Sequence, residues 1–126
     1  MKINIETDGF DEVLERFKAM EKAAKNDIAK DALSKAGDIM LESLKSNAPK
    51  GETGNLTASM GIISKGTRFV TVGHANAIDR TAIYHFYQHY GNSFTNATNF
   101  FSVAYFEARE ECYEIIKQTI LKAMGF

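Results

Sequence analysis

The spacing of apolar residues predicts helices towards both ends of this chain and strands between them. From Phe10 to Leu44 apolar residues recur every three or four positions, which is the period of an amphipathic helix. Asn26 is a residue type that caps helices, so this stretch predicts either one long helix or two with a break near Asn26. The only proline, Pro49, disfavours helical geometry in the residue before it, so the helix must end by about Ala48.

After the proline, the apolar period changes from helical to alternating. Every second residue from Leu56 to Ile62 is apolar, which predicts a half-buried strand. A turn at 65–67 and the β-branched and aromatic residues at 69–72 predict the returning strand of an antiparallel hairpin. The segment Lys2–Glu6 also alternates and suits a short edge strand.

A last apolar stripe begins at Phe100 and continues almost to the end of the chain, where Gly125 closes the predicted helix. Cys112 lies on this stripe, so we interpret it as a small core residue rather than a nucleophile. The sequence therefore predicts a single α+β domain over residues 1–126. It combines a long N-terminal amphipathic helix or helix pair, a small antiparallel sheet with a central hairpin, and a C-terminal helix packed on the sheet.

Composition and charge exclude several classes of protein. The 126 residues include 15 Lys and Arg against 16 Asp and Glu, so no global positive field exists to coat nucleic acid or an acidic membrane. One cysteine gives no disulfide framework. No apolar run approaches the length of a membrane helix, and the first residues lack the apolar core of a signal peptide. We therefore expect a soluble protein in a reducing cytosol.

Three histidines are the only constellation that resembles a chemical site. His85 and His89 are four residues apart and would share one helical face, and His74 could join them as a metal ligand. A small enzyme or metal-binding module centred on these residues is therefore one hypothesis. However, no acidic residue lies between Ala82 and Asn99, and aromatic residues interleave with the histidines. This pattern favours a packing surface with polar tips, so we predict no metal, no cofactor and no catalytic residues.

Two segments resemble the tail-component family of long-tailed bacteriophages, which comprises head-tail joining or tail-completion proteins. The long helix leads into residues 48–56, similar to the family's Ala-Pro, short gap and Thr-Gly-x-Leu. Residues 84–92 are similar to a family stretch that reads Tyr-Ala-x-Tyr-Val-Glu-Phe-Gly-Thr, with His89 where a glutamate is usual and Asn92 where a threonine is usual. A third match starts at Phe100, in the place of the family's Pro-Phe-Leu-x-Pro-Ala, and this chain lacks both of its prolines.

The resemblance implies an α+β protomer that assembles without catalysis into a ring, commonly of six subunits, between the phage head and the tail tube. It implies contacts with the tail tube or terminator and with head-connector proteins, and DNA that passes through the ring without sequence-specific contact. It also implies no membrane partner, and a location in the neck or tail of the virion after assembly in the bacterial cytoplasm. The candidate assembly residues are Thr53, Gly54, Leu56, Tyr84, Tyr87, His89, Tyr90, Gly91, Phe94 and Phe100.

Two further expectations concern the backbone and a loop. Gly54 and Gly91 lie where the chain must turn sharply, so we expect backbone angles there that other residues avoid. The polar stretch Asn92–Asn99 has few apolar side chains with which to pack. We expect it to be mobile in the free protein and to order against a neighbouring subunit, with Phe94 as its apolar anchor.

Overall fold

The computed structural model describes residues 2–6, 15, 18–19, 21–49, 54–75, 81–91 and 97–125, with the backbone alone for 81–84. The elements in chain order are β1 (Lys2–Glu6), α1 (Lys22–Asn47), α2 (Asn55–Ala58), β2 (Met60–Lys65), β3 (Phe69–His74), α3 (Thr81–Tyr90) and α4 (Phe100–Ala123). The helical positions expected at Phe10, Val13, Leu14, Phe17 and Met20 lie outside the described residues.

The three strands form an antiparallel sheet in the order β1-β3-β2. Val72 of β3 pairs with Ile3 on one side and with Ile62 on the other, so apolar side chains from all three strands share one face. A register shift between Ile62 and Ser64 interrupts the pairing of β2 with β3. The central hairpin predicted from the sequence is therefore present, and the N-terminal segment adds the third strand.

The long helix α1 packs against the sheet on one side and against α4 on the other. The thiol of Cys112 on α4 donates a hydrogen bond to the carbonyl oxygen of Ala36 on α1, at 3.3 Å. Near Cys112, α4 also lies beside β1, where Tyr105 and Ile5 line the same small cavity. The α+β prediction is confirmed, and the C-terminal helix contacts the long helix as well as the sheet. The apolar core includes Ile3, Ile5, Leu33, Met40, Leu44, Val70, Val72, Phe100, Ile116 and Ile120.

One boundary differs from the sequence prediction, and one alternative for the long helix is excluded. The strand expected from Leu56 begins only at Met60, because residues 55–58 form the helical turn α2. Ser59 closes this turn, since its hydroxyl donates to the carbonyl oxygen of Leu56 at 2.6 Å. Of the two alternatives for the N-terminal stretch, a break near Asn26 is absent: α1 is continuous from Lys22 to Asn47, and Glu21 before it is extended, with ψ of 144°.

In the described part of the chain, none of the helices combines the length and the apolar character that a membrane crossing requires.

Candidate assembly surface

Helix α3 carries no Asp, Glu, Lys or Arg, and one of its faces is aromatic and exposed. Phe86, Tyr87 and Tyr90 are 53%, 40% and 57% exposed, and we call these three side chains the aromatic face. The ring centroids of Phe86 and Tyr90 lie 4.9 Å apart, so the face is a continuous patch and not three isolated rings. Exposed aromatic side chains without neighbouring charge are typical of the central part of a protein interface.

The opposite face of α3 is formed by the two histidines, which are buried. The Nε2 atom of His85 lies 2.9 Å from the hydroxyl oxygen of Ser59. The single hydroxyl hydrogen of Ser59 is already donated to the carbonyl oxygen of Leu56. Ser59 must therefore accept from His85, which places a hydrogen on Nε2 of His85. Its Nδ1 atom is buried and has no hydrogen-bond partner among the described residues.

His89 connects α3 to the beginning of α4. Its Nδ1 atom accepts a hydrogen bond from the backbone N–H of Phe101 at 3.3 Å. This N–H belongs to the first turn of α4, where no residue of the helix itself supplies an acceptor. Asn99 precedes that turn in the left-handed conformation, with φ of 52°, and its side chain makes no capping bond. The imidazole of His89 therefore performs the capping role that an Asn, Asp or Ser side chain performs elsewhere.

The end of α3 is bonded in return by the residues that precede α4. The carbonyl oxygens of Gln88 and His89 accept from the backbone N–H groups of Thr98 and Asn99, at 2.9 and 3.0 Å. Thr98 and Asn99 thus have backbone partners within the protomer, while the mobility expected for Asn92–Asn99 in the free protein stays a prediction. Residues 92–96, including Phe94, lie outside the described residues.

Burial keeps both histidines uncharged near neutral pH. Burial lowers the pKa of His85 from 6.5 to about 4, and the nearby charge of His74 and of the amino terminus act in the same direction. Burial also lowers the pKa of His89, with a further contribution from the amino terminus. The rings of His74 and His85 meet edge to face with centroids 5.0 Å apart. Among the described residues, no three His, Cys, Asp or Glu side chains are grouped as a metal site requires.

The structure separates the candidate assembly residues into two groups. Tyr87 and Tyr90 are exposed on the aromatic face, whereas Leu56, His89 and Phe100 are buried in the protomer. The three buried side chains pack within the protomer, and the role of all these residues in assembly stays a prediction. Gly54 and Gly91 both have positive φ, 67° and 81°, as expected for sharp turns. Thr53, Phe94 and the side chain of Tyr84 lie outside the described residues.

Sequence reasoning missed two residues of this region and one exposed aromatic residue elsewhere on the protomer. Phe86 belongs to the aromatic face, yet the resemblance to the phage family gave it no role. Phe106 on α4 is 64% exposed, and its spacing from the buried stripe of α4 could have indicated this. Ser59 bonds His85, but the two are 26 residues apart and no local pattern connects them.

The fold and this surface together define a class: a small α+β protomer whose exposed aromatic helix is suited to assembly with other subunits. A family model described as "Bacteriophage HK97-gp10, putative tail-component" matches residues 11–91, more than half of the chain. The chain belongs to this family, and it is a phage tail component and thereby part of the virion. The match includes α1, the hairpin and the aromatic face. No curated protein and no solved structure matches the chain.

Proposed function

We propose that this protein is a ring subunit that joins the phage head to the tail, in the role of a tail-completion or neck protein without catalytic activity. Each copy would repeat one heterologous contact around a closed rotation, commonly with six subunits. The ring would contact the tail tube or terminator on one side and the head connector on the other. DNA would pass through its centre without sequence-specific contact.

The exposed aromatic face of α3 is the observation that carries this proposal. Three neighbouring aromatic side chains on an uncharged helix leave apolar surface in water, and a neighbouring subunit would remove that surface from solvent. The face lies within the segment that the family model matches. The segment Asn92–Asn99, which follows the face in the sequence, would order against the same neighbour, with Phe94 as the apolar contact.

The rival hypothesis of an enzyme or metal-binding module centred on His74, His85 and His89 gains no support from the described residues. Nε2 of His85 and Nδ1 of His89 are engaged with Ser59 and Phe101. Both side chains are also buried, so a substrate in solution does not reach them. Zinc or nickel titration by calorimetry tests this hypothesis directly: one tight site that is lost in His85→Ala would favour a metal-binding module.

Native mass spectrometry of the purified protein tests the ring. A ring of six 14.0 kDa chains has a mass of about 84 kDa. We expect Phe86→Ser/Tyr90→Ser to be monomeric, because both substitutions remove apolar area from the aromatic face. The matched control is Phe106→Ser, which removes an equally exposed aromatic ring from α4 and should leave the mass unchanged. Equal loss of assembly in both variants would contradict the assignment of the interface to α3.

A second experiment tests the position in the virion, including the case in which the ring forms only on the tail. Electron micrographs of phage lacking this chain should show separate heads and tails. Supplying the wild-type protein to the lysate should restore joined particles, and supplying Phe86→Ser/Tyr90→Ser should not. Joined particles in the absence of the chain would contradict a head-tail joining role.

A further inference from the structure

Helix α3 is attached to the rest of the described protomer by few contacts, and two of them are the side-chain hydrogen bonds of its histidines. His85 donates to Ser59, at the junction of α2 and β2. His89 accepts from Phe101, in the first turn of α4. The two histidines are four residues apart and therefore lie on the same face of α3, opposite the aromatic face. The two imidazole groups, together with two backbone hydrogen bonds at the end of α3, therefore hold the aromatic face in position.

Protonation disfavours both histidines in their docked positions, for different reasons. A proton on Nδ1 of His89 would remove the acceptor of the Phe101 N–H and place a positive charge at the N-terminus of α4, the positive end of its dipole. A proton on Nδ1 of His85 would create a buried charge and a donor for which the described part of the chain supplies no acceptor. In both cases the protonated form is more stable in water than in its buried site.

We propose that α3 is an acid-released latch: protonation of His85 and His89 detaches the helix, together with its aromatic face, from α4 and from the α2–β2 junction. The release is a property of the protomer and does not depend on its function. Its consequence for assembly rests on the proposed ring, since a detached α3 would no longer present the aromatic face in a fixed position.

The charged groups around the latch oppose protonation of its two histidines. His74 on β3 faces His85, Tyr90 lies beside His89 on α3, and the two residues that α4 contributes, Phe100 and Phe101, are uncharged. The positive charges of His74 and the amino terminus oppose protonation of the docked helix. In the described part of the chain, no carboxylate is among the groups that shift either pKa. Nothing there offsets the cost of charging the buried rings.

The direction of the pH dependence of release follows from the lowered pKa values of the two histidines. Above pH 6.5 the imidazoles are neutral in the docked and in the released helix, and attachment is complete. Below pH 6.5 the released helix binds protons that the docked helix does not, so release becomes more favourable. For His85 this continues until the pH approaches about 4. With a His85 pKa of 6.5 in the released helix and about 4 in the docked helix, His85 alone raises the population of released α3 about 25-fold between pH 7.5 and pH 5.0.

Amide hydrogen exchange on the full chain measures the release. After correction for the intrinsic pH dependence of exchange, the protection of residues 81–90 should fall by about 25-fold or more from pH 7.5 to 5.0. The core amides of α1 are the internal reference and should change much less. Unchanged protection of α3 relative to α1 would overturn the proposal.

The matched variant is His85→Gln/His89→Gln, because glutamine offers an uncharged donor to Ser59 and an uncharged acceptor to Phe101. We expect α3 protection in this variant to show no fall beyond that of α1. An equal fall in the variant and in the wild type would overturn the proposal.

A titration of the wild-type imidazoles by NMR tests the same idea without a substitution. The pKa of His85 should lie well below 6.5, and a value at or above 6.5 would overturn the latch. These measurements use the free protein, so they remain decisive if the protein forms no ring. A ring whose assembly does not change with pH would contradict only the proposed consequence for assembly.

Discussion

Gly37 on α1 lies directly against Val70 on β3. A Cβ atom at position 37 would be 2.9 Å from Cγ2 of Val70, closer than real Cβ contacts, and Val70 is fully buried. The absence of a side chain at this position therefore sets how closely the long helix approaches the central strand. The hairpin is positioned against the long helix by that approach.

We expect Gly37→Ala to destabilise the protein, although alanine is the better helix former. Overpacking a buried contact costs about 1–3 kcal/mol, against a gain of up to about 1 kcal/mol in helix propensity. The net loss in the free energy of unfolding should be about 1 kcal/mol, measured by urea denaturation. In a Val70→Ala background the contact is relieved, so the same substitution should be neutral or stabilising. An equal cost in both backgrounds would show that the contact with Val70 is not the cause.

Gly54 leads to a separate prediction, because its backbone conformation, and not a packing contact, limits which residues fit at this position. Its φ is 67°, and a Cβ atom would meet nothing within 4 Å. Gly54→Ala should therefore cost about 1 kcal/mol through backbone strain alone. Gly54→Asn should cost less, since asparagine tolerates the left-handed region better than alanine. Thermal unfolding of the two variants checks the order, and a more stable alanine variant would refute the argument.

The parts of the fold that were predictable from the sequence are those in which burial repeats with a local period. The stripe on α4 and the hairpin depend on such periods, and both were predicted correctly. Helix α2 was not, because a buried Leu56 fits an alternating strand and a helical turn equally well. Gly54 and the hydroxyl of Ser59 decide between the two, and their effect appears only in the backbone angle and the hydrogen bond.

The candidate surface was predictable only in outline. The sequence identified an aromatic segment but not which side faces solvent, because α3 buries its histidines and exposes Phe86, Tyr87 and Tyr90. Hydropathy alone favours burial of the aromatic side chains and exposure of the histidines. The choice depends on tertiary partners, Ser59 for His85 and the N–H of Phe101 for His89, neither of which is close in sequence.

The position of His89 also explains in physical terms how a histidine can stand where the resembling family usually has a glutamate. A glutamate is usual there, and the structure assigns the position to an acceptor for the first turn of α4. A carboxylate accepts such a bond and is favoured at a helix N-terminus by the dipole. Histidine retains the acceptor at neutral pH and makes it sensitive to acid.

The bond between Ser59 and His85 gives a third prediction, on stability at neutral pH. Ser59→Ala removes the acceptor and leaves the buried Nε2–H of His85 without a partner, which should cost about 1–3 kcal/mol in the free energy of unfolding. His85→Phe removes the polar ring, and Ser59→Ala should cost less in that background. Urea denaturation of the double-mutant cycle gives the coupling. A coupling of zero would show that the 2.9 Å contact contributes nothing to stability.

The last prediction concerns Cys112 at high pH. Burial raises the pKa of this thiol to about 11, from 9.0 in the unfolded chain, with a further contribution from Glu111. The folded protein therefore keeps a proton that the unfolded chain loses, so the contribution to stability is complete below pH 9 and decreases as the pH rises towards 11. By pH 10 the loss should be about 1.4 kcal/mol.

Lysine and tyrosine residues also titrate in this range, so the measured quantity is the difference in unfolding free energy between wild type and Cys112→Ala. Alanine leaves a small cavity and should be less stable at pH 8 by about 1 kcal/mol. That gap should close as the pH approaches 10, because only the wild type carries the buried thiol. A gap independent of pH would show that Cys112 ionises as readily in the folded protein as in the unfolded chain, contrary to its burial against Ala36.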